Sequence, residues 1–229
     1  MSNSPIFCAV DRPDTTGAVA LARALSGHVG GIKLGLEFFC ASGPDGIRAV
    51  AAEGLPIFLD LKLHDIPNTV AGAVRSALAL QPAMLTLHAS GGRAMLEAAV
   101  EAKNSLQAST LLLAVTVLTS LDDRDLHSLG VAGAAAEQVE RLAELAIAAG
   151  VDGLVCSPHE ITRLRRVIPL SVKLVVPGIR PAGAAGDDQK RVMTPAQALD
   201  AGADVLVIGR PITAATDPAA AARAMMGAA

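Results

Sequence analysis

Short apolar runs, many of them rich in β-branched residues, recur along the whole chain and constrain its fold more than any other feature. Most are continuously apolar rather than alternating, which is typical of strands covered on both faces of a parallel sheet. Eight runs predict strands at Ile6–Val10, Gly31–Leu34, Ile57–Leu61, Met84–Leu87, Leu112–Val117, Gly153–Cys156, Lys173–Val176 and Val205–Ile208. A parallel sheet needs a crossover after each strand, so helices are expected between them.

The segments between these runs have apolar residues at helical spacing, and Gly27, Gly54 and Gly150 stand where helices should end. The triplet Gly209-Arg210-Pro211 is expected to open the last helix. Eight strand–helix units without a composition break predict an α/β protein: a single (β/α)8 TIM barrel domain over residues 1–229. In such a barrel the active site lies at the C-terminal ends of the strands. An open, doubly wound sheet has the same alternation and stays possible.

Composition narrows the function classes. Hydrophobic residues make up 52% of the chain, the formal net charge is −3, and there are four Phe but no Trp or Tyr. A slightly acidic, aromatic-poor chain is not expected to bind nucleic acid. The three cysteines have no metal-site spacing, and no run approaches the roughly 18 apolar residues of a membrane span. With no recognisable signal peptide, we expect a soluble, reduced, cytoplasmic protein without a zinc site.

Charged residues follow several of the predicted strands. Asp11 ends the first run, Lys33 lies near the end of the second, and Asp60, Lys62 and Asp65 end or follow the third. Asp60 and Lys62 are two apart on a strand, so their side chains share a face and can pair. One such pair is most often structural, but acids and bases from neighbouring strand ends hold each other ionised. The pattern therefore predicts a polarised site with a cationic lysine as proton donor.

Two further features lie near later strand ends. Gly209 and Arg210 follow the eighth strand, where many barrels bind phosphate, although a plain turn with a solvated arginine is the alternative. Residues 177–192 form a long Gly- and Asp-containing loop, a candidate lid. His88 ends the fourth strand and is interpreted as structural rather than as a base, and His64 is given no role.

The segment Asp60-Leu61-Lys62-Leu63-His64-Asp65-Ile66-Pro67-Asn68-Thr69 resembles the signature of the orotidine 5′-monophosphate decarboxylases. Its DxKxxDIPxT pattern is highly specific. Individually weaker similarities follow in the family's order along the whole chain, at Ala9-Val10-Asp11, Gly31-Ile32-Lys33-Leu34-Gly35, Val117-Leu118-Thr119-Ser120, Pro177-Gly178-Ile179-Arg180-Pro181, Gln189 and Ile208-Gly209-Arg210-Pro211-Ile212. The resemblance implies cofactor-independent decarboxylation of orotidine 5′-monophosphate to uridine 5′-monophosphate and CO2, the last step of de novo pyrimidine nucleotide synthesis.

The resemblance also implies roles for particular residues. Lys62 is expected to be the proton donor within a catalytic network of Lys33, Asp60, Lys62 and Asp65. Asp65, Ile66 and Thr69 are expected to reach the active site of the partner in a homodimer. The resemblance implies that Asp11 and Lys33 contact the ribose and that Asp60 lies near the substrate carboxylate. Thr119, with Ser120 as the alternative, is implied to contact the pyrimidine. The loop from Pro177 to Gln189 is implied to close over the 5′-phosphate, which would be bound by Arg180, Gln189, Gly209 and Arg210.

Two alternatives belong to different classes. Phosphate-binding barrel decarboxylases that act on 3-keto-gulonate 6-phosphate share a similar DxKxxD string but use Mg²⁺, with an acid at the end of the second strand. Lys33 occupies that position here, so one metal ligand is missing. The other alternative is a catalytically silent barrel that senses a nucleotide. Such a protein has no need of a proton donor, so the complete charge set argues against it.

Overall fold

The computed structural model describes residues 4–181 and 193–227. Its eight parallel strands pair in chain order, and β1 pairs with β8 to close the barrel. The strands are β1 Ile6–Val10, β2 Gly31–Gly35, β3 Ile57–Leu63, β4 Met84–His88, β5 Leu111–Val115, β6 Gly153–Val155, β7 Lys173–Val176 and β8 Val205–Ile208. The predicted (β/α)8 barrel is confirmed, and closure removes the doubly wound alternative.

The helices surround this barrel. They are α1 Thr15–Leu25, α2 Leu36–Ala51, α3 Pro67–Leu78, α4 Arg93–Ser105, α5 Asp123–Ser128, α6 Ala135–Ala148, α7 Ile161–Arg165, α8 Pro195–Asp200, α9 Arg210–Thr213 and α10 Pro218–Gly227. Short 3-10 turns follow β4 at Ala89–Gly91 and β6 at Pro158–Glu160. Within residues 4–181 and 193–227, no helix has the length and apolar character needed to cross a membrane.

Two connections differ from the expected one helix per strand. The β5–β6 connection contains both α5 and α6, and the last helix is split into α9 and α10. The first part ends at Thr213, and the second begins at Pro218, a residue that suits the first turn of a helix because no N–H is needed there. The expected helix ends at Gly27, Gly54 and Gly150 are confirmed, and all three glycines have positive φ angles.

Two predicted strand ends were wrong by two residues. β3 continues past Leu61 to Leu63, because a bulge carries extra residues in that strand. β5 stops at Val115 instead of Val117. Beyond it, the backbone N–H and hydroxyl of Thr116 both donate to the Val155 carbonyl, at 3.2 and 3.0 Å, before the chain turns away.

The apolar core lies in two layers. The larger layer fills the space between the strands and the surrounding helices. The smaller one packs the barrel interior and consists of Ala9, Phe58, Met84, Leu113, Val175 and Val207. Phe58, Asp60 and Lys62 of β3 all face the interior at the C-terminal end of the barrel. The apolar layer therefore forms a floor beneath charged residues at the C-terminal end of β3.

Two partly buried carboxylates stabilise the opposite end of the barrel. Asp152, just before β6, accepts the Leu112 backbone N–H at 2.7 Å and pairs with Lys103 at 2.6 Å. Asp204, just before β8, accepts the Leu174 N–H at 2.8 Å in the same way. Each carboxylate satisfies an N–H at the start of the neighbouring strand, so these groups stabilise the barrel away from the cavity described next.

Candidate active site

A cavity of about 500 Å³ opens at the C-terminal ends of the strands. Apolar strand residues form its floor, and polar residues from the C-terminal ends of the strands and from the loops that follow them line its wall. The lining residues are Ala9, Asp11, Lys33, Phe58, Asp60, Lys62, Val115, Val117, Leu118, Thr119, Val155, Cys156, Pro177, Gly178, Arg180, Val207, Gly209, Arg210 and Thr213. A concave site with charged and polar side chains above an apolar floor suits a small polar ligand.

Four of these side chains form a chain of alternating charge. Lys33 Nζ lies 3.6 Å from Asp11 Oδ1 and 3.5 Å from Asp60 Oδ2. Lys62 Nζ donates to the same Asp60 oxygen at 2.9 Å. Each cation thus has a carboxylate neighbour, and the arrangement fixes Lys62 at the cavity wall.

Asp60 is the most enclosed member, with 8% of its surface exposed. Burial by itself raises the pKa of a carboxyl group. The charges of Lys33 and Lys62, with hydrogen bonds from Lys62 and Thr86, outweigh burial and lower the pKa of Asp60 below its ordinary value. Asp60 is therefore an anion at neutral pH, and its negative charge attracts the side-chain nitrogens of both lysines.

The backbone around Lys62 is irregular. Leu59 pairs with Leu85, but the next pair along is Leu63 with Leu87, so β3 advances four residues while β4 advances two. Lys62 lies within this bulge with a φ angle of +50°, in the left-handed region. A residue other than glycine held there costs about 1–3 kcal/mol, which neighbouring contacts must offset.

The far side of the cavity carries positive charge. Arg180, which is buried, and Arg210, which is exposed, both line it, together with Gly178, Gly209 and Thr213. Arg180 donates to the Ile179 carbonyl at 3.0 Å. The pair of guanidinium groups is suited to a phosphate or carboxylate, which accepts planar, bidentate hydrogen bonds.

The predicted site residues divide into three groups. The structure brings together, around one cavity, Asp11, Lys33, Asp60, Lys62, Thr119, Pro177, Arg180, Gly209 and Arg210. Asp65, Ile66, Thr69 and Ser120 are exposed and do not line the cavity of their own chain. Gln189, with most of the expected lid over 177–192, lies outside the described residues.

The exposed group lies where β3 gives way to α3. Asp65 Oδ1 accepts the Ile66 backbone N–H at 2.6 Å, and Pro67 begins the helix. Ile66 is 67% exposed and is one of several large apolar side chains at the surface of the described part of the chain. None of these residues lines the cavity of its own chain.

His88 has a partner that the sequence did not indicate. Its ring centroid lies 5.4 Å from that of His64. Burial, followed by the charges of His64 and Lys62, lowers the pKa of His88, and Asp60 offsets only part of this. Because His88 does not line the cavity, its position fits the structural interpretation better than that of a base.

Sequence reasoning missed several residues of the site. The apolar wall was assigned only to the core, although alternation from Lys62 back to Phe58 indicates which side chains face inward. Cys156 and Thr213 had no signal beyond their place after a strand. Thr86 had none, because its hydrogen bonds to Asp60 and to the Lys62 backbone connect residues more than 20 positions apart. Among the described residues, no cluster of three His, Cys, Asp or Glu side chains suits a metal ion.

The chain is similar to known proteins over nearly its full length. The family model "Orotidine 5'-phosphate decarboxylase / HUMPS family" matches residues 4–225. The orotidine 5'-phosphate decarboxylase of Novosphingobium aromaticivorans is 58% identical, with 98% of each chain covered. That of Rhodospirillum rubrum is 54% identical, over 99% of this chain and 94% of the relative. The crystal structure of the Lactobacillus acidophilus orotidine 5'-phosphate decarboxylase superposes with a TM-score of 0.84 at 37% identity, with 98% of each chain covered.

Proposed function

The chain belongs to the orotidine 5'-phosphate decarboxylase / HUMPS family, and we propose that it converts orotidine 5′-monophosphate to uridine 5′-monophosphate and CO2. This reaction is the last step of de novo pyrimidine nucleotide synthesis. The observation that carries the proposal is the alternating chain Asp11–Lys33–Asp60–Lys62, because it holds a proton-bearing lysine on the wall of a cavity with two arginines. The charged residues at the ends of β1, β2 and β3 therefore belong to one site.

The chemistry explains why a fixed ammonium is useful. Loss of CO2 from C6 of the pyrimidine leaves an electron pair on that carbon, with no carbonyl placed to delocalise it. The Lys62 ammonium stabilises this developing charge electrostatically and then transfers its proton to C6. The bond to CO2 breaks, the C–H bond forms, and Lys62 is left neutral until it regains a proton from water.

Asp60 has two effects in this scheme. It holds the Lys62 side chain in place through the 2.9 Å hydrogen bond. It also lies where the substrate carboxylate would approach, and repulsion between the two anions favours loss of CO2. Lys33 and Asp11 are proposed to bind the ribose hydroxyls, and Thr119 to bind the pyrimidine.

The phosphate lies far from the reacting carbon in this proposal. Arg180, Gly209 and Arg210 are the described residues proposed to bind it, and Gln189 and the loop starting at Pro177 are proposed to close over it. Binding energy gained at the phosphate drives that closure and lowers the barrier to decarboxylation rather than only tightening binding.

We further propose a homodimer in which Asp65, Ile66 and Thr69 enter the site of the partner subunit. The support is their position: all three are exposed, and they lie directly after the strand that carries Lys62. The 67% exposed Ile66 gains most from burial in an interface. A single domain spanning residues 1–229 and a cytoplasmic location remain predictions from the sequence.

A metal-dependent sugar-phosphate reaction is the rival within the same family description. Its reaction needs an acid where Lys33 stands, and here that cation contacts both Asp11 and Asp60. Replacing a carboxylate ligand by an ammonium repels a divalent cation. The geometry around Lys33 therefore favours the orotidylate reaction, for which we propose that no cofactor is needed.

Incubation of the purified protein with orotidine 5′-monophosphate tests the proposal. We expect the ultraviolet absorbance of the orotate ring to fall, and one uridine 5′-monophosphate to form for each orotidine 5′-monophosphate consumed. The result should be the same with and without a metal chelator. Turnover that the chelator abolishes would refute the proposal that the reaction needs no metal. Tight nucleotide binding without turnover would instead favour a catalytically silent barrel that senses a nucleotide.

A further inference from the structure

We propose that Thr86 is a positioning residue for Lys62 and Asp60, an inference that rests on the proposed decarboxylation. Thr86 lies in the middle of β4 and is completely buried. It is absent from the cavity lining, so its effect on the reaction must pass through its neighbours.

The register places Thr86 opposite the bulge. The pairs Leu59–Leu85 and Leu63–Leu87 enclose three residues of β3 and only one of β4, which is Thr86. A bulge leaves backbone groups of the longer strand without their regular ladder partners. Here the side chain of Thr86, and not the β4 backbone, supplies the hydrogen-bond acceptor for the Lys62 N–H.

Its hydroxyl makes both possible kinds of hydrogen bond. Thr86 Oγ1 accepts the Lys62 backbone N–H at 2.9 Å and donates its own proton to Asp60 Oδ1 at 2.8 Å. One buried hydroxyl therefore satisfies the backbone of the strained Lys62 and one oxygen of its carboxylate partner. The other oxygen of Asp60, Oδ2, stays available to the two lysine ammonium groups.

Donor direction gives this arrangement its specificity. Because Asp60 is an anion that only accepts, the Thr86 proton must point to it, and the lone pairs must then face the Lys62 N–H. A valine of almost the same shape can do neither. Removing the hydroxyl leaves a buried N–H without an acceptor and frees Asp60 to rotate, so the Lys62 ammonium loses its fixed position.

The test compares Thr86→Val and Thr86→Ser with the parent chain. Thr86→Val should lower kcat at least tenfold and change KM less than threefold, because the residue does not line the cavity. Thr86→Ser keeps the hydroxyl and should restore kcat to within threefold of the parent. The acid limb of the kcat–pH profile should move to higher pH in Thr86→Val, since Asp60 loses a hydrogen bond that favours its anion.

Thr110→Val is the matched control. Thr110 is also a buried threonine, and its hydroxyl donates to the Pro82 carbonyl at 2.6 Å, away from the cavity lining. This variant should lose thermal stability but keep the parent's kcat and pH profile. Should Thr86→Val not fold, Thr86→Ala must show the same loss of kcat.

Three results would overturn the proposal: a kcat within threefold of the parent in Thr86→Val, an equal loss in Thr110→Val, or no rescue by Thr86→Ser. A crystal structure of a folded hydroxyl-free variant gives a readout independent of turnover. There, Lys62 Nζ should have left Asp60 Oδ2, and an unchanged 2.9 Å contact would also refute the role. A parent chain inactive on orotidylate would instead refute the proposed function, while the structural comparison still tests the positioning.

Discussion

Lys33 and Lys62 direct their ammonium nitrogens at the same oxygen, Asp60 Oδ2, at distances of 3.5 and 2.9 Å. Two cations this close repel each other, and the shared carboxylate offsets that repulsion. Asp11, on the other side of Lys33, adds a second negative charge. Because the other Asp60 oxygen is held by Thr86, the group has little freedom to reorganise as charge develops on a substrate.

Replacement of Lys62 by Ala removes the proposed proton donor. We expect the rate of decarboxylation to fall far more than tenfold. A tenfold fall alone corresponds to an increase of about 1.4 kcal/mol in the barrier. The barrel should stay folded, because Lys62 lies at the cavity wall and not in the apolar layers, and uridine 5′-monophosphate should still bind. Steady-state rates and calorimetric titration measure the two properties.

Lys103→Ala is the control for that variant. Lys103 is another partly buried lysine in an ion pair, but it lies with Asp152 at the opposite end of the barrel. Its loss should lower the melting temperature and leave the rate unchanged. Activity of Lys62→Ala within tenfold of the parent would exclude Lys62 as the proton donor.

Replacement of Arg210 by Ala should discriminate between substrates. With orotidine 5′-monophosphate we expect kcat/KM to fall about 10- to 150-fold, since a hydrogen bond to a charged group contributes about 1.5–3 kcal/mol. With orotidine, which lacks the phosphate, the change should stay within about threefold. Arg23→Ala, which breaks an exposed pair with Glu53 on the outer surface, should alter neither substrate. Equal losses on both substrates would remove Arg210 from the phosphate site.

Much of this site follows from local pattern. Continuous apolar runs predicted the barrel, and the two-residue spacing of Asp60 and Lys62 predicted that they pair. The bulge was not predictable, since neither glycine nor proline marks it and Lys62 itself takes the left-handed conformation. Thr86 reaches the site across 24 and 26 positions of sequence, and only strand register makes it a neighbour. The His64–His88 contact likewise depends on two strand ends meeting.

Replacement of His88 by Asn should make stability less sensitive to acid. The pKa of His88 is lowered in the folded chain, so the unfolded chain takes up a proton first as the pH falls below about 6.5. Acid therefore destabilises the folded chain through this residue. The effect stops growing once the pH is below the pKa of His88 in the folded chain. Urea unfolding can be measured at pH 7.5 and 5.5, about 1 pH unit either side of the ordinary histidine pKa. The free energy of unfolding should fall less between these two pH values in His88→Asn than in the parent.

His159→Asn provides the comparison for that measurement. His159 is exposed, and its replacement should leave the difference between the two pH values as in the parent. If His88→Asn loses as much stability on acidification as the parent, His88 is not a source of the acid sensitivity.

The proposed dimer can be tested by mixing two inactive chains, Lys62→Ala and Asp65→Ala. If Asp65 serves the partner's site, the mixed dimer holds one site with both lesions and one with neither. Random exchange of equal amounts makes half of the dimers mixed, so activity should return to about a quarter of the parent's. Native mass spectrometry of chains that differ in isotope labelling follows the exchange.

A chain with both substitutions supplies the matched control for this experiment. Mixed with Lys62→Ala, it forms dimers in which neither site has a lysine donor, so no activity should return. Rescue in the first mixture alone requires that Lys62 and Asp65 of one active site come from different chains. Confirmed exchange without rescue would contradict the shared site, since an exposed Asp65 that acted within its own chain would leave both mixed sites defective.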